Sequence, residues 1–374
     1  MKIAYLAIKM TRKLAIGGVG QKMNMQVGIW QMMGHEAKIF TMISEEIPFL
    51  HWNTYYQTPF ERLNFFNKIR QEILYSSKLS QLIADLKTFQ PDVVLLRFHR
   101  YIFGLERIFK IAPVVIDLNT DDTVELSLVN PSLMNDLHNK LTRPIMFQNA
   151  AGFNPLSYEI ANLPANTRYH LPTLVLGNGI DLNKYPPLPA PNNTHPHFAM
   201  VSSDKLQWHG VDKMIGFFKQ YPDLHLDLVG YGQEDFPEVL PNNVQAHGFL
   251  PHEQVANILA RADVVFGTMA LHRKKMNEAS PLKVREGLAH GIPLVIAYED
   301  TDLMGLELDT ILRLPNIEDN LETHAQEIRD FAYRMRGQRV ARDLVADRID
   351  YRQKEKRRLA FFQDVLEKKG KLPL

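Results

Sequence analysis

The stretch Tyr185-Pro186-Pro187-Leu188-Pro189-Ala190-Pro191-Asn192-Asn193 cuts this chain in two. Proline locks its backbone and lacks an amide hydrogen, so four prolines in so short a span exclude both a helix and a central strand. The segment reads as a linker between a domain over residues 1–187 and another over 194–350. A chain of 374 residues is long for one core and comfortable for two.

Upstream of the prolines, apolar runs bounded by Gly, Pro or polar residues fall at 2–8, 37–42, 92–96, 113–118 and 173–176. Helical spacing separates them over 21–33 and 62–89. Downstream the alternation restarts, with strands expected at 198–201, 224–229, 244–246, 264–267 and 294–297, and helices at 211–220 and 252–261. Short buried runs alternating with amphipathic helices imply parallel sheets, so the fold class is α/β with two Rossmann-like domains.

Composition narrows the chemistry. Hydrophobic residues at 45% and charged residues at 23% are those of an ordinary globular chain. A net charge of +1 offers no argument for nucleic acid. With no cysteine, disulfides, thiolate metal sites and cysteine nucleophiles are excluded. The apolar start Met1-Lys2-Ile3-Ala4-Tyr5-Leu6-Ala7-Ile8 reads as a buried strand rather than a leader, and no run approaches the ~20 residues of a membrane span. A cytoplasmic protein is expected.

A second stretch carries the candidate chemistry: Asn277-Glu278-Ala279-Ser280-Pro281-Leu282-Lys283-Val284-Arg285-Glu286-Gly287-Leu288. Ser280 suits a helix N-cap, and Pro281 suits the first helical position, where its missing N–H costs nothing. The first turn then presents the free amides of Leu282 and Lys283, a seat for an anionic phosphate. Glu278 falls in the loop before the helix and Glu286 about a turn inside it. A ligand with a sugar at one end, phosphates in the middle and a ribose at the other meets all three, which is the outline of a nucleotide sugar. After the first strand, Ile16-Gly17-Gly18-Val19-Gly20-Gln21 leads into a helix, and its glycines let the amides of Gly18, Val19 and Gly20 approach a phosphate or sugar. The spacing is not Gly-x-Gly-x-x-Gly and no acid closes the second strand, which disfavours a nicotinamide dehydrogenase.

These pieces resemble family 4 glycosyltransferases. Gly17-Gly18-Val19-Gly20 with Gly34-His35-Glu36 looks like the family's opening, and Gly177-Asn178-Gly179-Ile180-Asp181 is similar to its Asn-Gly-Ile/Val-Asp signature. Trp208-His209-Gly210-Val211-Asp212 resembles the Lys-Gly-Val-Asp segment, and Val229-Gly230-Tyr231-Gly232 the next Gly-x-Gly. Glu278 and Glu286 stand as the Glu-(x7)-Glu pair. The landmarks fall in family order over roughly residues 1–300. The resemblance implies a GT-B fold, two Rossmann-like domains facing across a cleft, with a C-terminal helix (351–374) returning to the N-terminal domain. It also implies retaining transfer from a UDP- or GDP-sugar, with no metal and no other cofactor. Asp121-Asp122 is therefore read as a solvated loop or helix start.

By that resemblance Glu278 lies against the transferred sugar and Glu286 accepts from the ribose hydroxyls, which suits an acceptor-only group. Ser280, Pro281, Leu282 and Lys283 line the diphosphate, with Ser203, His209 and Gly232 beside the donor. Where relatives carry a lysine this chain has His209, so Lys205 is expected to supply the charge, with Lys283 and Arg273 assisting. In the N-terminal domain Arg97 or His99 takes the place of the family's catalytic-site histidine, at a strand's carboxyl end. A glycan or lipid-linked acceptor in cell-surface polysaccharide assembly is the expectation from family habit. A nucleotide-sugar 2-epimerase of the same architecture and a non-catalytic partner subunit are the alternatives.

Two surface features remain open. From Phe331 onward, thirteen Lys/Arg stand against six Asp/Glu. They read either as the solvated face of helices whose Leu344, Ile349, Leu359, Phe362 and Leu366 pack inward, or as peripheral contact with an anionic membrane. His51-Trp52-Asn53-Thr54-Tyr55-Tyr56 with Phe60, Phe65 and Phe66, interleaved with Arg62, Lys68 and Arg70, suits saccharide stacking, a membrane interface or a helical core face.

Overall fold

The computed structural model describes residues 1–43, 47, 52–56, 65–129, 133–202 and 205–370. Of the aromatic patch, His51, Phe60 and Arg62 lie outside the described residues. The chain forms two compact units, Met1–Leu176 with Lys354–Leu374, and Gly177–Gln353.

The first unit is built on six strands: β1 (Lys2–Met10), β2 (Glu36–Ile43), β3 (Asn53–Tyr56), β4 (Val93–Arg97), β5 (Val114–Leu118) and β6 (Gly152–Pro155). They lie in the order β3-β2-β1-β4-β5-β6, all parallel. Chain order reverses at β1, the doubly wound arrangement whose carboxyl ends face ligands. β1 is central and buried on both faces, which is why its sequence is continuously apolar rather than alternating. Tyr5 of β1 and Phe362 of the last helix both pack on Trp30, with ring centroids 6.0 Å apart in each pair.

The second unit repeats the plan with β7 (His197–Val201), β8 (His225–Val229), β9 (Val244–Ala246), β10 (Val264–Phe266), β12 (Leu294–Ile296) and β14 (Ile311–Arg313). Its order is β14-β12-β10-β7-β8-β9, again parallel. A separate short pair, β11 (Glu278–Ala279) and β13 (Glu299–Asp300), stands beside this sheet in the chain path. The expected helices at 211–220 and 252–261 are Val211–Gln220 and His252–Arg261.

The last helix, Tyr351–Lys368, begins in the second unit and belongs to the first from Lys354 onward. Glu355, wholly buried, accepts from Gln26 Nε2 at 3.1 Å, Trp30 Nε1 at 2.8 Å and Arg358 Nε at 2.9 Å. Leu359, Phe362, Val365 and Leu366 close the core on the same side. The expected return of a C-terminal helix is present.

Several expectations need correction. Residues 173–176 form no full strand: Thr173 bridges to Phe153, and the Leu174 and Leu176 amides donate to the Phe153 and Pro155 carbonyls at 3.0 Å alongside β6, the last full strand of the sheet. β6 escaped notice because it is Gly-Phe-Asn-Pro, yet the glycine sits in a tight place, where a Cβ would lie 3.0 Å from both Phe361 and the Pro172 carbonyl. The unit boundary falls at Leu176, ahead of the prolines. The segment after it is bonded to the second unit, with Ile180 N donating to Ile349 O at 2.8 Å and Leu188 N to His290 O at 3.1 Å. Asp122 starts the helix Asp122–Val129 but is not solvated: it is buried in a fork with Arg143 at 2.9 and 3.1 Å. In the tail, Arg336, Arg339, Arg342 and Arg348 bond backbone carbonyls of the second unit, and Arg352 pairs with Asp181 at 3.3 Å. Of the five apolar tail residues, Leu344 is exposed and the other four are buried.

Glu355→Leu should strand the Arg358 guanidinium in the core, a loss of about 3–5 kcal/mol. Urea unfolding should show it as a lower midpoint at unchanged slope.

Candidate functional site

Arg285 organises the stretch that carries Glu278 and Glu286. Its side chain is fully buried and bonds Asp300 at 2.9 and 2.6 Å, Asp302 at 2.7 Å, Ser280 Oγ at 2.6 Å and the Asn178 carbonyl at 2.8 Å. The Ser280 hydroxyl also accepts the Asn178 amide at 2.8 Å. Ser280 is therefore not the N-cap. Pro281 takes that place in extended conformation, and the helix runs Leu282–Ala289. The Ser280 hydroxyl is committed to Asn178 and Arg285 and is not presented to a diphosphate.

The first intrahelical amide is that of Val284, donating to Pro281 O at 3.2 Å, which leaves the Leu282 and Lys283 amides ahead of the ladder as expected. Lys283 and Glu286 are three apart on this helix and so share a face. Burial holds the Lys283 amine down to about 7, and its one hydrogen-bonding neighbour among the described residues is Met200 Sδ at 3.6 Å. Burial likewise pushes the Glu286 carboxyl up to about 7. Glu286 Oε1 has no hydrogen-bond partner among the described residues, and His252 Nε2 stands 3.6 Å from it. The Tyr185 ring lies 5.3 Å from His252 and 5.7 Å from His290, and its hydroxyl is pushed up to about 12 by burial and then by Glu286. Glu278 is buried on β11, paired with Glu299 of β13, rather than in a loop.

The remaining expected donor residues divide. Lys205 is paired with Asp235, whose other oxygen accepts the Gly232 amide at 2.8 Å, so neither is open as drawn from the sequence. Arg273 forks onto Asp212 at 2.9 and 2.7 Å and also pairs with Glu318. His209 is buried, its Nδ1 3.0 Å from Ser202 Oγ and 3.1 Å from Tyr231 Oη. Ser203 lies outside the described residues. Of the expected cations Lys205, Arg273 and Lys283, Lys283 is the one without a carboxylate at ion-pair distance among the described residues.

In the first unit Gly18, Val19 and Gly20 form the first turn of the helix Gly18–Met32, but a helix over Arg12–Ile16 separates them from β1. Gly20 serves packing: a Cβ there would sit 1.7 Å from the Ala15 carbonyl oxygen. Arg97 closes β4 with Nη1 3.9 Å from Asp117. His99 Nδ1 donates to the Arg100 carbonyl at 2.6 Å, and its Nε2 is buried without a partner among the described residues. Burial, with Lys9 nearby, holds the imidazole down to about 3, so it is neutral and Nε2 is an acceptor.

Sequence reasoning missed Arg285, Asp300, Asp302, His252 and Tyr185. The signal for the aspartates was the acid run Glu299-Asp300-Thr301-Asp302 after an apolar strand, which had no assigned partner.

No family model matches the chain, and no curated protein matches it. Among solved structures it is similar to sucrose-phosphate synthase from Thermosynechococcus elongatus, with TM-score 0.71 and 15% identity over 98% of this chain and 99% of that one. It is similar to Anabaena HepE in complex with UDP-glucose, with TM-score 0.62 and 15% identity over the whole of both chains. The apo lipopolysaccharide outer core galactosyltransferase WaaB matches with TM-score 0.61 and 12% identity over 99% of this chain and 100% of that one. These full-length likenesses show the fold, which is GT-B.

Unpartnered buried charges destabilise the chain that carries them. The Glu286 penalty is absent below pH 4.5 and complete above pH 7. For Lys283 the penalty is complete below pH 7 and gone above pH 10.5. Glu286→Gln should raise the melting temperature by roughly 2 °C or more above pH 7 and not at pH 4.5. Lys283→Met should raise it below pH 7. Arg285→Met should instead cost about 3–5 kcal/mol by leaving the Asp300 carboxylate buried without its guanidinium.

Proposed function

We propose that this chain is a retaining glycosyltransferase, moving a hexosyl group from a UDP- or GDP-sugar to a saccharide or lipid-linked acceptor. The observation that carries this reading is the pair Lys283 and Glu286, half-buried on one face of a helix start without an opposite fixed charge. Each lacks what a sugar nucleotide supplies: an anion for the amine, hydroxyl donors for the carboxylate. Likeness in fold to glycosyltransferases along the whole chain supports the same reading.

The roles follow from chemistry. Lys283 and the amides of Leu282 and Lys283 hold the diphosphate, Glu286 accepts from the ribose hydroxyls beside His252, and Glu278 takes hydroxyls of the transferred sugar. Charge that develops on the leaving diphosphate meets a fixed cation and oriented amides, so stabilisation is electrostatic and preorganised. Neutralisation by Lys283 makes a metal unnecessary in this scheme. The acceptor hydroxyl attacks from the face the diphosphate leaves, and the diphosphate takes its proton. A glycosidase-like double displacement would need two carboxylates about 5–5.5 Å apart across the bond, whereas Glu286 is assigned here to the ribose. Arg97 and the neutral His99, at a strand end of the first unit, are the candidates on the acceptor side. Cell-surface glycan assembly in the cytoplasm and membership of family 4 complete the proposal.

A thermal-shift panel of UDP-, GDP- and ADP-sugars tests it. One donor should raise the melting temperature, by up to ~2.7 kcal/mol of stabilisation at a hundredfold excess over Kd, and Lys283→Met should abolish the shift. A panel without any shift would sink the proposal. Proton NMR of the donor alone separates transfer from epimerisation, and a glycosyl adduct trapped on Glu278 would overturn the one-step path.

A further inference from the structure

The helix Leu133–Asn149 of the first unit has a buried face and, away from it, an apolar stripe. One face is ordinary, with Asn139, Arg143, Met146 and Phe147 buried. On the opposite side Met134, Leu137, Leu141 and Ile145 recur at spacings of three and four, and Leu133 continues the stripe. Leu133 is 90% exposed, Leu141 65% and Leu137 57%. Phe103, 73% exposed, stands in the adjoining loop, where the Tyr101 ring is 6.4 Å from His138 of this helix. Single exposed apolar side chains are normal on folded proteins, but a contiguous stripe of this kind marks a surface that something covers.

The charges around the stripe indicate what covers it. Among the described residues of the helix and the adjoining turn, Asp136 turns to Arg100 at 4.0 Å, and Glu106 accepts from the Tyr101 hydroxyl. Cations line the margin. Lys140 is on the helix itself, and Arg107 and Lys110 are on the turn Leu105–Lys110 that packs beside it. Arg168 lies over Tyr169, whose ring is 5.4 Å from Phe147. Arg107 bonds the neutral Gly104 carbonyl at 3.0 Å and Ser80 Oγ at 3.1 Å. Among the described residues none of these four cations meets a carboxylate at ion-pair distance. A second copy of the chain, docked about a two-fold axis, would bring the same uncompensated cations together. An anionic lipid surface would satisfy them and accept the leucines as well.

We propose that this face docks on an anionic lipid surface. The helix lies along the headgroup boundary, with Leu133, Met134, Leu137, Leu141, Ile145 and Phe103 on the acyl side and Lys140, Arg107, Lys110 and Arg168 at the phosphates. The inference uses none of the donor-site residues and stands apart from the transfer reaction. No helix among the described residues is long and apolar enough to cross a membrane, so the attachment is to one face of a bilayer.

Co-sedimentation of the full chain with vesicles of phosphatidylcholine, alone or mixed with phosphatidylglycerol, tests the proposal. The chain should pellet with the mixed vesicles, less so with phosphatidylcholine alone, and salt should weaken the binding. Leu137→Glu with Leu141→Glu should cut binding roughly tenfold or more, with an unchanged melting temperature as the check on folding. Lys140→Glu with Lys110→Glu should reduce binding to the mixed vesicles alone. A wild-type chain that ignores both vesicles, or a double glutamate variant that still binds, would overturn the proposal. So would a dimer seen by light scattering that the glutamate variant converts to monomer, since the stripe would then belong to a second copy. Nucleotide-sugar thermal shifts measured on the same variants should be unchanged, which keeps failure of this surface distinct from failure of the donor site.

Discussion

The hydrogen bonds of the buried Arg285 guanidinium join three other parts of the second unit to the helix Leu282–Ala289. Asp300 and Asp302 come from the segment at β13, Ser280 from the turn before the helix, and the Asn178 carbonyl from a segment 107 residues away. Removing a guanidinium from water is costly, and only an arrangement that meets its planar fork with carboxylates and carbonyls offsets the cost. That demand explains the neighbours. Gly177 has no room for a side chain, because a Cβ there would lie 2.3 Å from Asp302 Oδ2. Ser280 leaves the cap position to join the same network. Glu278 and Glu286, on either side, inherit their placement from a residue that touches neither.

Interior charge is handled in two ways. In the first, Glu355 and Arg358 are mutually paired and further satisfied by Trp30 and Gln26. In the second, Lys283 and Glu286 are half-buried without an opposite fixed charge, and desolvation pulls both toward about 7. Paired interior charges serve architecture. Unbalanced ones lower stability and persist where a ligand completes them, which is why they single out the helix start as a site.

Charge runs and apolar runs mislead in opposite ways here. The basic tail suggests an anionic partner, yet Arg336, Arg339, Arg342 and Arg348 are engaged by backbone carbonyls of the second unit. The helix Leu133–Asn149 leaves an apolar stripe open on the side away from its buried face. A linear pattern records how often side chains are apolar or charged, and not which of them meet a partner.

By itself the sequence determined the parallel α/β architecture in two units, the helix start at Pro281 and Leu282, and the place of Glu286 on that helix. These follow from proline chemistry, free amides and hydrophobic period, all of which act over a few neighbouring residues. Only the tertiary structure decided that Ser280 bonds Asn178 and Arg285, that Lys205 and the Gly232 amide belong to Asp235, that β6 is the last full strand of its sheet, and that the unit boundary precedes the prolines. Each of those depends on burial and hydrogen bonding between residues far apart in the chain, and no local spacing carries that information.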